Sequence, residues 1–119
     1  MNISIQARGF LLTKALREHA ERRLRFALGW ADDHLRGVSV RLSDDNGPRG
    51  GEDKRCCIRI AFAGAPSVVI EDIETDVYAA IDRAADRAGR SVARRLERQR
   101  ARRRRLLPTP VEGMAWAWR

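Results

Sequence analysis

The sequence has no long apolar run, and this absence excludes a membrane-spanning helix. No apolar run in the 119 residues approaches the ~20 residues that a membrane span requires. The longest run near the start of the chain is Phe10–Leu12. The start also has no apolar segment of the length found in secretory signals. We therefore expect a cytoplasmic protein that has no membrane partner.

Cysteine is also scarce. The only two cysteines, Cys56 and Cys57, are adjacent in a predicted strand, so their side chains point to opposite faces. Two thiols make neither a disulfide framework nor a zinc site, and His19 and His34 have no ligand spacing to either cysteine. We expect reduced, packed thiols and no metal or cofactor.

Motifs for catalysis are missing as well. The glycines of residues 47–51 lie between predicted strands, away from any helix start, so they do not form a phosphate-binding loop. The acidic loop from Asp44 resembles an EF-hand only loosely, because its sixth position is Arg49 where glycine is needed. Serine, histidine and acidic residues occur without a motif that would join them. We expect neither an enzyme nor a small-molecule substrate.

Arginine is abundant, and it is unevenly distributed. The chain has 24 basic and 16 acidic residues for a net charge of +8, and 22 of the basic residues are arginine. Residues 1–82 have a net charge of −1 and residues 83–119 a net charge of +9. The arginine guanidinium group binds phosphate oxygens and stacks on the faces of bases, so this distribution favours a nucleic-acid partner. The alternative is a basic helix that serves only solubility.

Hydrophobic periodicity predicts six elements in the order strand, helix, three strands, helix. Residues 2–8 alternate as a half-buried strand, and a helix capped by Thr13 follows and ends near Gly29. Three further strands contain residues 38–42, 56–62 and 67–73. The first two strands are parallel if they share a sheet, and the last two are antiparallel. We predict an α+β two-layer sandwich, a four-stranded mixed sheet with both helices on one face.

The last helix, capped by Thr75 or Asp76, has two distinct faces. At 100° per residue, one face is apolar and should pack on the sheet. The opposite face forms an arginine row that would extend roughly 22 Å at 1.5 Å per residue. The apolar face consists of Tyr78, Ile81, Ala85, Ala88, Val92 and Leu96, and the arginine row of Arg83, Arg87, Arg90, Arg94 and Arg98.

The apolar period stops after this row. The basic run at residues 100–105 either extends the helix as a solvated tail or becomes ordered only on a polyanion. Pro108, Pro110 and Gly113 indicate a flexible end, in which Trp116 and Trp118 either stack on bases or lie on the protein's own surface. We therefore divide the chain into an α+β domain, residues 1–99, and a basic, Pro/Trp-containing tail, residues 100–119.

Two segments resemble the ribosome hibernation-promoting factor family, also called ribosome-associated inhibitor A or protein Y. Residues 13–18, Thr-Lys-Ala-Leu-Arg-Glu, are similar to the start of that family's first helix. Residues 76–82, Asp-Val-Tyr-Ala-Ala-Ile-Asp, resemble the more specific start of its last helix. The correspondence extends over about residues 1–100 and keeps the order of the elements.

The resemblance implies a β-α-β-β-β-α fold, similar in layout to double-stranded-RNA-binding domains. It also implies a ribosome-binding domain that contacts rRNA of the small ribosomal subunit between head and body and blocks the tRNA and mRNA sites under stress. The family's basic helical residues correspond here to Arg22, Arg25, Arg83, Arg87, Arg90 and Arg94, and the arginine row adds Arg98.

The sequence also departs from the family pattern. His19 stands where many relatives have a large apolar residue, so we expect a packed, neutral histidine. Residues 44–54 are richer in glycine than in short members, and their contacts are not transferred. Long members continue into a domain that pairs ribosomes, and this sequence ends soon after the fold. We therefore expect a short-form member, a monomer off the ribosome.

Two other functions use the same sequence features. One is a free RNA-binding module or RNA chaperone that acts away from the ribosome through the same arginines. The other is a protein-interaction adaptor that uses the C-terminal tail and needs the positive charge only for solubility.

Overall fold

The computed structural model describes residues 1–44 and 54–106. The predicted glycine-rich loop between these ranges, apart from its ends Asp44 and Lys54, and the Pro/Trp-containing end of the chain lie outside the described residues. The elements are β1 (Asn2–Arg8), α1 (Lys14–Leu28), β2 (Leu35–Asp44), β3 (Lys54–Phe62), β4 (Ala65–Glu74) and α2 (Val77–Leu106), with a 3-10 helix (Gly29–His34) between α1 and β2.

The four strands form one sheet in the order β1-β2-β3-β4. β1 is parallel to β2, while the β2–β3 and β3–β4 pairs are antiparallel. A strand–helix–strand crossover explains the parallel pair, and the tight turn at Gly64, which has a φ of +76°, explains the last antiparallel pair. The predicted α+β sandwich is confirmed.

Both helices lie on one face of the sheet and supply one side of the core. From α1, the buried side chains are Leu16, Ala20, Leu24 and Leu28. They recur at four-residue spacing, as the apolar stripe predicts. Thr13 caps this helix, since its Oγ1 accepts a hydrogen bond from the Leu16 backbone N–H at 3.1 Å. α1 ends at Gly29 as expected, but the chain continues into the 3-10 helix, which was not predicted.

α2 packs on the sheet through a face that is wider than predicted. Five of the six predicted core residues are buried, and Ala80 and Ala84 are fully buried as well. Tyr78 is the exception and the prediction was wrong there, because its ring lies at the edge of the core and is 38% exposed. It makes an edge-on contact with His19, with 4.9 Å between the ring centroids. The core side of α2 is thus rotated toward β4 relative to the predicted stripe.

α2 continues without a break past residue 99 as far as Leu106. Of the two alternatives for the basic run, the structure shows the helical extension. Leu96 is the last buried apolar residue that α2 contributes among the described side chains, so the final turns stand beyond the core. No helix in residues 1–44 or 54–106 is both long and apolar enough to cross a membrane.

Candidate nucleic-acid interface

The arginine row of α2 is exposed along its whole length, but its members differ in their surroundings. Arg90, Arg94 and Arg98 have exposed side chains. Within the described part of the chain, none of these three makes an ion pair or a side-chain hydrogen bond. Their guanidinium groups are therefore available to a polyanion.

Arg83 and Arg87 are instead paired with the edge strand β4. Arg83 Nη1 lies 2.5 Å from Glu74 Oε1. Arg87 Nη1 donates a hydrogen bond to the Glu71 carbonyl at 2.6 Å and lies 3.3 Å from Asp72 Oδ2. The expectation of five equivalent outward arginines is corrected, because the first turns of α2 pass over the acidic end of β4. The two arginine side chains are still 66% and 49% exposed, whereas Glu74 and Asp72 are only 19% and 11% exposed.

Arg95 is an arginine that the sequence prediction did not include. It donates a hydrogen bond to the Pro66 carbonyl at 3.2 Å, and its guanidinium carbon lies 5.3 Å from the centre of the Phe62 ring. These contacts attach the middle of α2 to β3 and β4. Beside it, Arg94 and Arg98 line a hollow of about 700 Å³ between α2 and β4, wide enough for a phosphate group.

The α1 arginines named from the sequence, Arg22 and Arg25, are exposed. Glu18 and Glu21 precede them by four residues, but the described structure contains no ion pair between Glu18 and Arg22 or between Glu21 and Arg25. Glu18 lies instead 3.9 Å from Lys14 Nζ. Arg22 and Arg25 therefore add two uncompensated cations to the helical side of the domain.

Two of the acidic residues of α2, Asp82 and Asp86, are neutralised in the groove between the helices, whereas Glu97 lines the hollow beside Arg94 and Arg98. Asp82 Oδ1 lies 2.7 Å from His19 Nε2 and 3.1 Å from Arg23 Nε, and Asp86 Oδ1 accepts a hydrogen bond from Arg23 Nη2 at 2.9 Å. His19 is packed as expected, with 21% of its side chain exposed, but its partner is a carboxylate. These contacts hold the two acids away from the arginine row, so they do not cancel its charge.

A close helix–helix contact brings the arginines of α1 and α2 onto one surface. A Cβ on Gly89 would lie 3.2 Å from the Ala27 carbonyl oxygen, so the helices approach closely at this point. We call the five unpaired arginines of the two helices, Arg22, Arg25, Arg90, Arg94 and Arg98, the helical arginine face.

Sequence reasoning missed two exposed aromatic residues at the end of α1. Phe26 is 82% exposed and Trp30 is 57% exposed. The Trp30 Nε1–H donates to the Ala27 carbonyl at 2.8 Å, which holds the indole ring in place. A signal was present, because Phe26 falls outside the apolar stripe of α1 and follows Arg22 at four-residue spacing.

The thiols show no feature of a metal or redox site. Burial, with smaller effects from Cys57 and Asp72, raises the pKa of the Cys56 thiol to about 12. Both cysteines are free, and residues 1–44 and 54–106 contain no cluster of three metal-ligating side chains. Cys56 is thus the packed thiol that its position in the strand predicts.

Comparison with known proteins places the fold among ribosome-associated domains. The structure is similar to the crystal structure of the Thermus thermophilus Protein Y N-terminal domain, with 33% identity, a TM-score of 0.66, and coverage of 79% of this chain and 98% of that one. It also has the fold of a ribosomal subunit interface protein from Coxiella burnetii, with 15% identity, a TM-score of 0.71, and coverage of 82% and 99%. No curated protein matches the chain significantly.

The β-α-β-β-β-α sandwich with its basic helical side is a domain of the same class as the Protein Y N-terminal domain. The family model described as Sigma 54 modulation protein / S30EA ribosomal protein matches residues 3–100. The chain belongs to that family. Membership confirms the predicted resemblance, the ribosome as partner, a role in translation regulation and the absence of enzymatic activity, and it agrees with a cytoplasmic location.

Proposed function

We propose that this protein binds rRNA of the small ribosomal subunit through its helical arginine face and occupies the space of tRNA and mRNA. In stressed or stationary cells, translation would then stop while idle ribosomes are preserved. The observation that carries the proposal is the set of five exposed, unpaired arginines on two adjoining helices. Family membership and the similarity to Protein Y support the small subunit as the partner.

The chemistry of the face fits a folded RNA backbone. Arginine forks bind phosphate oxygens through two parallel N–H···O bonds, and the row in α2 follows one side of a straight helix. Arg83 and Arg87 are paired in the free protein with Glu74 and Asp72, whose side chains are only 19% and 11% exposed. They would therefore add RNA contacts only through the guanidinium N–H groups that these carboxylates leave free. Phe26, next to Arg22 on the outer surface of α1, offers a ring on which an unpaired base can stack.

The test is co-sedimentation of the full chain with purified small subunits. Reversing two central charges in the double variant Arg90→Glu/Arg94→Glu should weaken binding about 100-fold, because two charge-assisted contacts of ~1.5 kcal/mol each are lost. The matched control, Lys14→Glu/Arg36→Glu, makes the same charge change at exposed positions outside the face and should bind nearly as well as the wild type.

The outcomes separate the alternatives. A wild-type chain that does not sediment with small subunits would remove the proposed function, whereas equal binding of the two double variants would remove the site. Competition with generic duplex RNA distinguishes the two RNA-binding functions. A ribosome-specific factor binds the duplex more weakly than it binds the small subunit, whereas a free RNA-binding module would be displaced from the small subunit by an excess of duplex. A chain lacking residues 106–119 should still bind, unlike an adaptor that acts through its tail.

A further inference from the structure

We propose that the open face of the sheet is a second RNA-binding surface, which contacts a phosphodiester backbone on the side of the domain opposite the helices. The surface is formed by four arginines, the sheet-face cluster: Arg8, Arg41, Arg55 and Arg59. This inference rests on the proposed function and extends it, because a domain with two basic faces can be held between two RNA segments at once.

The strand pairing assembles the cluster from three strands. Arg8 of β1 stands opposite Ser43, which in turn pairs with Arg55 of β3. Arg41 of β2 pairs with Cys57, which lies between Arg55 and Arg59 on the same face of β3. Buried residues alternate with these positions along β2 and β3 and point to the helices. The four arginines therefore share one face, over about 13 Å along β3 and about 10 Å across the strands.

The positive charge of this face is not visible in the net charge of the sequence segments. Residues 1–82 are close to neutral overall, yet four of their arginines lie together on the open face of the sheet. Glu71, 3.5 Å from Arg55, is the one acidic side chain at a described position inside the face. Asp44, at its rim, is 3.1 Å from Lys54. The exposed side chains of Arg8, Arg41 and Arg59 have no ion pair within the described residues.

The shape of the face suits a phosphate backbone. Two adjoining hollows of about 530 and about 320 Å³ cover it, and Arg41 and Cys57 line both. Among the other lining residues, Ser39 and Ser43 offer hydroxyl donors, and the acids Asp44 and Glu71 line only the larger hollow. Arginine and serine are among the usual partners of phosphate oxygens in protein–nucleic acid contacts. No described element covers this side of the sheet.

The occupant that fits best is RNA rather than an acidic protein segment. The cluster uses arginine alone, and arginine recognises the planar geometry of phosphate oxygens with two bonds where lysine acts as a point charge. An RNA backbone also presents its charges in a regular row, which matches four cations spread over a flat sheet. An acidic segment of a ribosomal protein remains as a distinct outcome of the test.

A bridging assay tests the surface without depending on the ribosome. Full-length protein is captured on an immobilised RNA duplex, and recruitment of a second, labelled duplex is measured. The wild type should recruit the second duplex. Arg41→Glu/Arg59→Glu and Arg90→Glu/Arg94→Glu should each still bind the first RNA but recruit at least tenfold less of the second. Lys14→Glu/Arg36→Glu is the control with matched charge, and Arg41→Gln/Arg59→Gln should give an intermediate loss.

Binding of the same variants to small subunits completes the test. The Arg41→Glu/Arg59→Glu variant should bind at least tenfold more weakly than the control, with an unchanged circular dichroism spectrum and melting temperature. If it bridges duplexes and binds subunits like the control, the proposal is wrong. If it loses subunit binding but bridges protein-free RNA normally, the face contacts a ribosomal protein and the RNA assignment is overturned. Failure of the wild type to bind subunits would instead contradict the proposed function alone.

Discussion

At the scale of single residues, exposure separates positions that hold the fold together from positions that serve the surface. Leu24 and Phe26 are two residues apart on α1 and are similar in hydrophobicity, but Leu24 is 1% exposed and Phe26 is 82% exposed. The first lies in the core with Leu28, and the second projects into solvent beside Arg22. Hydrophobicity alone does not distinguish them, and their angle around the helix does.

This contrast predicts opposite effects of two similar truncations. Leu24→Ala should lower the free energy of unfolding by about 2–5 kcal/mol, because it leaves a cavity between α1 and the sheet. Phe26→Ala should change it by less than about 0.5 kcal/mol, while weakening small-subunit binding at least about fivefold through loss of base stacking. Urea unfolding and co-sedimentation measure the two effects. A large stability loss in Phe26→Ala would show that its ring packs against the protein.

The ion pairing of individual arginines was one part of the interface that the sequence did not predict. Arg83 and Arg87 follow the same helical spacing as Arg90 and Arg94, yet only the first two meet carboxylates. Their partners, Glu74 and Asp72, belong to β4, and the contact depends on how α2 crosses that strand. Helical periodicity describes one helix at a time, so it contains no information about that crossing.

At the scale of elements, sequence patterns correctly predicted the features that depend on a single strand or helix. The alternation of β1 and the Thr13 cap of α1 were predicted and observed. The register between strands was not predicted, and for this reason the sheet-face cluster was missed. Its four arginines belong to three different strands and come together only when β1, β2 and β3 align.

The contact between α1 and α2 makes a prediction about two glycines. A Cβ at Gly89 would meet the Ala27 carbonyl at 3.2 Å, whereas a Cβ at Gly29, where φ is −58°, would meet nothing within 4 Å. Gly29→Ala should therefore stabilise the fold by about 0.4–1 kcal/mol. Gly89→Ala should destabilise it, because the backbone of α1 has to move and this outweighs the gain in helix propensity. Thermal unfolding of both variants is the measurement, and stabilisation by Gly89→Ala would contradict the close packing.

The end of α2 predicts a gradient of hydrogen exchange. Amides between Ile81 and Leu96 lie against the sheet and should exchange only on global unfolding. Amides of residues 100–105 lie beyond the last described buried position of the helix and should exchange much faster in the free protein. Added small subunits should slow exchange in these last turns if RNA contacts them. Equal protection along the whole free helix would show that the final turns are held by contacts other than the core.

At the scale of the whole molecule, charge is segregated by face as well as by sequence position. The last third of the chain carries the excess charge, and the helices present five unpaired arginines while the sheet presents a further cluster on the opposite side. Two acids on the helical side, Asp82 and Asp86, are neutralised internally between the helices. A domain built in this way is suited to fill a gap between RNA segments, which is the role proposed for it.

The salt dependence of small-subunit binding tests the central claim most directly, because each phosphate neutralised by an arginine releases counterions. If the five residues of the helical arginine face bind phosphates, log affinity should fall against log salt with a slope of at least about 3.5, taking ~0.7 per contact for single strands. The slope should decrease by about 1.4–1.8 in Arg90→Glu/Arg94→Glu and remain near the wild-type value in Lys14→Glu/Arg36→Glu. A wild-type slope near zero, or the same slope in both double variants, would contradict the account.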